Sequence, residues 1–74
     1  MLCLNDVHDG RSCSIIWLIG KTGTMIRNAC GLQLDDRLEM IRNSGKDGVI
    51  VRNGSRRIAM SYDASHAVKV ELCQ

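Results

Sequence analysis

Proline and phenylalanine are absent from this chain, and its only aromatic residues are Trp17 and Tyr62. Ile, Val, Leu and Met must therefore build the core, and Gly, Asn, Asp and Ser must make the turns. No apolar run approaches the ~20 residues that cross a bilayer as a helix. The longest, Ile15-Ile16-Trp17-Leu18-Ile19, has the length of a strand. No basic segment followed by a long apolar run opens the chain, so no signal peptide is expected. Neither sign of charge dominates: ten basic residues face eight acidic ones, for a formal net charge of +2. A nucleic-acid binder usually carries a clear basic excess on one face, so this balance neither demands nor excludes a polyanion. The four cysteines, Cys3, Cys13, Cys30 and Cys73, include no CxxC pair, and neither histidine lies at zinc-finger spacing. Without a secretory context these are expected to be reduced thiols in a cytosolic protein, packed as small hydrophobes.

What is present is enough for one small domain, residues 1–74. At this size folding buries roughly 60% of the chain's surface, which leaves a small core and no room for a second, catalytic domain. Asp9-Gly10 signals a turn. Ser12 to Ile19 reads as a strand with Cys13, Ile15, Trp17 and Ile19 on one side and Ile16 and Leu18 on the other. Gly20-Lys21-Thr22-Gly23 breaks it. Thr24 is placed to cap a short helix ending at Cys30, with Met25, Ile26, Ala29 and Cys30 on one face. Gly31 sits where a helix closes in a left-handed residue.

Four short strands follow. Arg37 to Arg42 alternates, with Leu38 and Met40 inward and Arg37 and Glu39 outward. Asn43 to Gly48 is a polar loop. Val49-Ile50-Val51-Arg52 and Arg56 to Met60 form a hairpin, for which Asn53-Gly54 suggests a type I′ turn. Ser61 to Ala67 reads as a one-turn helix, and Val68 to Leu72 is the last strand. About five short strands with one short helix and frequent turn signals make a mainly β fold, a small barrel or sandwich. The expected core is Ile15, Trp17, Met25, Leu38, Met40, Val49, Val51, Ile58, Met60, Val68 and Val70.

Candidate chemistry is sparse. Gly20-Lys21-Thr22 follows an apolar strand and precedes a helix, as a phosphate-binding loop would. Such a loop also needs a glycine five residues earlier to wrap the phosphates, and that position is Ile15. Nucleotide hydrolysis is not expected. His8 and His66 are the only imidazoles. Cys3, Cys13 and Cys73 would approach one another if the first and last strands pair. No recognised ligand spacing results, so no cofactor is expected, and transition-metal binding should be weak at most. Asp35, Asp36 and Glu39 offer carboxylates, but Asp35-Asp36 fits a turn. Lys46, Arg52, Arg56 and Arg57 gather positive charge around the hairpin. They are either a phosphate-contacting patch or solvated charges that blunt an edge strand.

The closing segment, Gly54-Ser55-Arg56-Arg57-Ile58-Ala59-Met60 with Val68-Lys69-Val70-Glu71, is similar to that of the ferrous-iron-transport protein A family (FeoA-like domains). The likeness extends over nearly the whole chain. Leu4, Val7, Gly10, Ile15 and Leu18 resemble the family's opening Leu-x-x-Leu-x-x-Gly and its following strand. Gly31-Leu32, Leu38 and Met40 resemble the end of its short helix and the next strand. The chain departs from the family pattern at Leu34-Asp35, where Pro-Gly is usual, at Arg27 and Asn28, where leucines are common, and at Ser65, where Ala is usual.

This resemblance implies an SH3-like barrel and a non-enzymatic, cytosolic accessory protein of ferrous iron uptake. Its implied partner is the cytoplasmic part of a GTPase-linked membrane transporter, without membrane insertion of its own. The same domain also occurs appended to metal-dependent repressors. Met25, Arg27 and Asn28 on the short helix are the candidate docking residues. The alternative is a nucleic-acid-binding SH3-like domain using Lys46, Arg52, Arg56 and Arg57.

Overall fold

Alternating apolar residues in short segments, each ended by a turn former, give six strands joined into one antiparallel sheet. The computed structural model describes residues 1–73. Strands β1 (Leu2–Cys3), β2 (Ser12–Leu18), β3 (Arg37–Asn43), β4 (Val49–Asn53), β5 (Arg56–Met60) and β6 (Val68–Leu72) lie in the order β1-β6-β2-β3-β4-β5. Helix α1 (Gly20–Cys30) follows β2, and the one-turn helix α2 (Tyr62–His66) links β5 to β6. Two 3-10 turns, Leu4–Asp6 and Gly45–Asp47, complete the chain. The result is the mainly β, SH3-like architecture the sequence suggests, with six strands in place of about five. The additional strand is the two-residue β1.

The inner face of the sheet surrounds one core of Leu4, Val7, Cys13, Ile15, Leu18, Ile26, Leu32, Leu38, Met40, Val49, Val51, Ile58, Met60, Ala67, Val68 and Val70. Nine of the eleven expected core residues are there. Trp17 and Met25 are not: they are 55% and 67% exposed.

The physical reason for Trp17 is a β-bulge. Ile15 pairs with Val70 and Trp17 with Lys69, so two residues of β2 oppose one of β6. The extra residue interrupts the two-residue alternation. Cys13, Ile15 and Leu18 face inward, while Ile16 and Trp17 both face solvent. A strict alternation through Ile19 is therefore correct only as far as Ile15.

Met25 is displaced for a different reason. The helix starts at Gly20, not Thr24, so it has three turns instead of two. Thr24 is not its cap, since its hydroxyl donates back to the Gly20 carbonyl at 3.2 Å, and Ile19 holds the N-cap position. Gly23 and Ile26 are the buried residues of α1, and half-buried Cys30 packs against the core beside them. Ala29, also expected on that face, is exposed. Gly23 is required there by contact. A β-carbon on it would lie 2.5 Å from the Leu18 carbonyl carbon, so only glycine lets α1 settle against the end of β2. At the other end Gly31 closes the helix as expected, left-handed at φ 68°, its N–H bonded to the Arg27 carbonyl.

Two turns show how local chemistry substitutes for missing residues. The hairpin pairs Asn53 with Arg56, so its loop residues are Gly54 and Ser55, one step later than the sequence suggests. Of these only Gly54 has positive φ, 62°, which is the pattern of a II′ turn and not I′. Between α1 and β3, the Asp36 N–H reaches the Gln33 carbonyl at 3.2 Å, with Asp35 at φ 72°. The third position of such a turn ordinarily takes glycine, and Asp is among the few residues that tolerate it. Leu34-Asp35 thus does the work of Pro-Gly without either residue. Replacing Asp35 by Gly is expected to stabilise the fold by up to about 1 kcal/mol, because the left-handed penalty disappears against a smaller entropic cost. A chemical-denaturation midpoint that falls instead would show that the Asp35 carboxylate makes a compensating interaction.

Candidate functional site

Helix α1 presents three candidate docking residues to solvent: Met25, Arg27 and Asn28 are all exposed. Their spacing decides what they can do together. At 100° per residue, with Ile26 facing the core, Met25 and Arg27 fall on opposite flanks and Asn28 lies at the crest. Met25 and Asn28 are neighbours on one ridge, three residues apart. Arg27 instead faces an open cleft of about 370 Å³ at the helix C-terminus, lined also by Gly31, Gln33 and Leu34. A partner touching all three must straddle the helix. Arg56 reaches the same helix end and donates to the Cys30 carbonyl at 2.9 Å, where a cation also complements the helix dipole.

The hairpin cations separate. Lys46 lies in the 3-10 turn before β4, at the end of that strand away from the β4–β5 turn. Arg56 is engaged by α1. Arg52 and Arg57 stand directly opposite each other across β4 and β5, and Glu39 stands opposite Arg52 across β3 and β4. Arg52 is ion-paired with Glu39. The structure therefore brings Arg52 and Arg57 together and leaves Lys46 and Arg56 out of that group. Sequence reasoning missed Arg37 as a member. It lines a groove of about 510 Å³ with Ser12, Glu39, Arg52, Asn53 and Gly54. Its outward position was readable from the β3 alternation, but not its proximity to β4.

Of the carboxylates Asp35, Asp36 and Glu39, it is Asp36 that serves the turn. The Asp36 carboxylate accepts from the Gln33 N–H at 3.0 Å and from the Asn53 amide at 3.3 Å.

Cys3 stays apart from Cys13 and Cys73, although the first and last strands do pair. Cys3 lies opposite Lys69 and Cys13 opposite Leu72, three positions apart along β6. Cys13 points into the core. Burial first, and the nearby Cys73 second, push its thiol up to about 11, so it stays protonated and inert. Cys3 accepts from the Lys69 ammonium at 2.9 Å, and Cys73 lies 3.3 Å from the Ser14 hydroxyl. His8 is exposed, and His66 stacks at a tilt on Tyr62 with ring centroids 4.3 Å apart. Among the described residues no group of three or more His, Cys, Asp or Glu side chains is placed to hold a metal ion.

The Gly20-Lys21-Thr22 segment is the first turn of α1, and Ile15, where a phosphate-binding loop needs glycine, is a fully buried core residue. Among the described residues, no helix is long and apolar enough to cross a membrane.

No sequence-family profile matches the chain, and no curated protein matches it. Its fold does match known structures. The crystal structure of an iron uptake regulatory protein (FeoA) superposes with a TM-score of 0.86 over 97% of both chains, at 15% identity. A manganese-dependent transcriptional repressor matches with a TM-score of 0.84 at 20% identity, over 96% of this chain and 40% of the repressor. The solution structure of iron(II) transport protein A from Clostridium thermocellum matches with a TM-score of 0.78 at 14% identity, over 96% of this chain and 45% of that one. With six antiparallel strands, a helix after the second and a one-turn helix before the last, this chain has the fold of an FeoA-like domain.

Proposed function

We propose that this chain is a non-enzymatic accessory or regulatory module of ferrous iron uptake, acting by docking on the cytoplasmic GTPase domain of an iron transporter. The observation that carries this reading is the end-to-end superposition on FeoA, 97% of each chain at a TM-score of 0.86. The chemistry of the chain agrees with it. A catalytic site needs a nucleophile, a base and an orienting group brought to one place, and the clefts described above hold arginines, an ion pair and amides instead. Iron on this reading is the transporter's cargo and not a resident cofactor of the domain.

Helix α1 is the proposed docking element, with Met25 and Asn28 on its exposed ridge and Arg27 on its flank. Leucines are common at the family's equivalents of Arg27 and Asn28, so polar residues there would tune this chain to a particular partner.

Calorimetric titration against the purified cytoplasmic GTPase domain of the cognate transporter, in its apo, GDP-bound and GTP-analogue states, tests the reading. Binding in at least one state is expected. The double variant Arg27→Glu, Asn28→Asp should weaken it about tenfold or more, the effect of placing repulsive charge within a contact. Unchanged affinity in that variant moves the docking surface off α1. Absence of binding in every state overturns the iron-transport reading.

A further inference from the structure

The outer face of β3, β4 and β5 carries a row of charge that the docking helix does not use. Glu39, Arg52 and Arg57 lie side by side across the three strands. Arg37 stands two residues along β3 from Glu39, so it shares that face. Both Arg37 and Arg52 line the same groove of about 510 Å³. Three guanidinium groups thus share a face with one carboxylate. That carboxylate, Glu39, already holds Arg52, which leaves Arg37 and Arg57 without a salt-bridge partner among the described residues.

Two like charges placed directly opposite on neighbouring strands destabilise a sheet. Arg52 and Arg57 occupy such a pair. Glu39 offsets the charge of Arg52, and an anion from outside would offset that of Arg57. Beside this row, β5 is the last strand of the sheet, paired only with β4. Its outer backbone N–H and C=O groups form an edge that can accept another strand.

We propose that this face is a docking site for an extended, carboxylate-rich segment of a partner protein, added along β5 with its acidic side chains reaching Arg57 and, one strand further, Arg52. An acidic peptide suits the site better than nucleic acid. The arginines are few, one is neutralised within the chain, and no aromatic side chain joins them: Trp17 is on β2 beside β6, and Tyr62 is on α2. Stacking aromatics are what single-stranded nucleic acid would use, whereas the planar guanidinium fork fits carboxylate pairs. The site is separate from α1 and does not depend on the iron-uptake reading.

The test uses a fluorescein-labelled decapeptide of alternating Glu and Thr, its Gln/Thr counterpart, and a single-stranded oligonucleotide of similar length, each titrated by fluorescence anisotropy at low and moderate salt. Amide shifts of the labelled protein are recorded alongside. The Glu peptide is expected to bind at low salt, to lose affinity as salt screens the charges, and to shift the amides of residues 56–60. The double variant Arg52→Gln, Arg57→Gln should weaken it about tenfold, and Glu39→Gln, which frees Arg52, should tighten it about threefold. Both variants change exposed side chains and are expected to fold, which their amide spectra verify. Equal binding of the Gln/Thr peptide, shifts confined to residues outside β3–β5, tighter binding of the oligonucleotide, or no binding of the Glu peptide at millimolar concentration would each overturn the proposal.

Discussion

Gly48→Ala is expected to remove a large share of the domain's stability. Gly48 follows the 3-10 turn Gly45–Asp47 and enters β4 at φ 99°, ψ −170°, a backbone region essentially closed to residues with a side chain. It is also buried, and a β-carbon on it would collide with the Met60 carbonyl oxygen. That oxygen cannot swing away, because it belongs to the backbone of β5 and Met60 is paired with Val49 in the hairpin. Backbone strain and collision together should cost about 3 kcal/mol or more, against a total stability of roughly 5–10 kcal/mol for a small domain. Gly10→Ala separates the two contributions. Gly10 is also at positive φ, 83°, but a β-carbon there meets nothing within 4 Å. It should cost only the conformational part, about 1 kcal/mol. Urea midpoints of the two variants decide the matter: if Gly48→Ala loses no more than Gly10→Ala, the β4–β5 hairpin yields more easily than its pairing implies.

The second large effect is expected at Asn43. Its amide group donates to the Asn5 carbonyl at 2.6 Å and the Val7 carbonyl at 2.9 Å, while its side-chain oxygen accepts from the Gly45 N–H at 2.9 Å. Asn5 continues the network, donating to the Gly45 carbonyl at 3.2 Å and to the Ser65 hydroxyl at 3.1 Å. Ser65, fully buried, donates in turn to the Tyr62 carbonyl at 2.7 Å. One asparagine thus ties the N-terminal segment to the β3–β4 loop and, through Asn5, to α2. Asn43→Ala removes three hydrogen bonds and strands part-buried backbone groups, at a cost of about 2–4 kcal/mol.

Asn43→Asp is a sharper probe. It is the same size but replaces the donor with a carboxylate oxygen facing two carbonyl oxygens. That environment disfavours the charged form and raises the folded-state pKa above the unfolded value. Stability should then be greatest below the normal carboxylate range and fall as pH rises through the raised pKa. Thermal melts of Asn43→Asp with no dependence on pH between mildly acidic and neutral conditions would mean that the carboxylate escapes to water. In that case the network does not bind the loop as described.

Neither Gly48 nor Asn43 stands out in the sequence. Both lie at the ends of a polar loop between two strands, where glycine and asparagine are ordinary, and the sequence reading treats the segment only as a connection. Their importance comes from partners far along the chain, Met60 for one and Asn5 and Val7 for the other. Ser65 is a similar case. It stands where the family usually has alanine, and the structure supplies partners for its hydroxyl in Asn5 and Tyr62.

What the residues determine by themselves is whatever depends on neighbours a few positions away. The β4–β5 hairpin, the inward Leu38 and Met40, the left-handed closure at Gly31 and the alternation of β6 all follow from period and turn chemistry, and all are present. From these the mainly β class was legible, and the resemblance of the closing segment implied its SH3-like form. Tertiary structure decided the rest, because it depends on which strand lies beside which. The bulge opposite Lys69 exists only because β2 pairs with β6, and it alone turns Trp17 from the core to the solvent. Helix α1 begins at Gly20 because Gly23 allows it to rest on Leu18, a contact invisible to capping rules. The cations near the hairpin form one cluster in the sequence and lie in three separate places in space. Cross-strand register sets Arg57 beside Arg52 and Glu39, and Arg56 turns away to the end of α1. A strand's own pattern says which residues point outward, and only the pairing of strands says which of them meet.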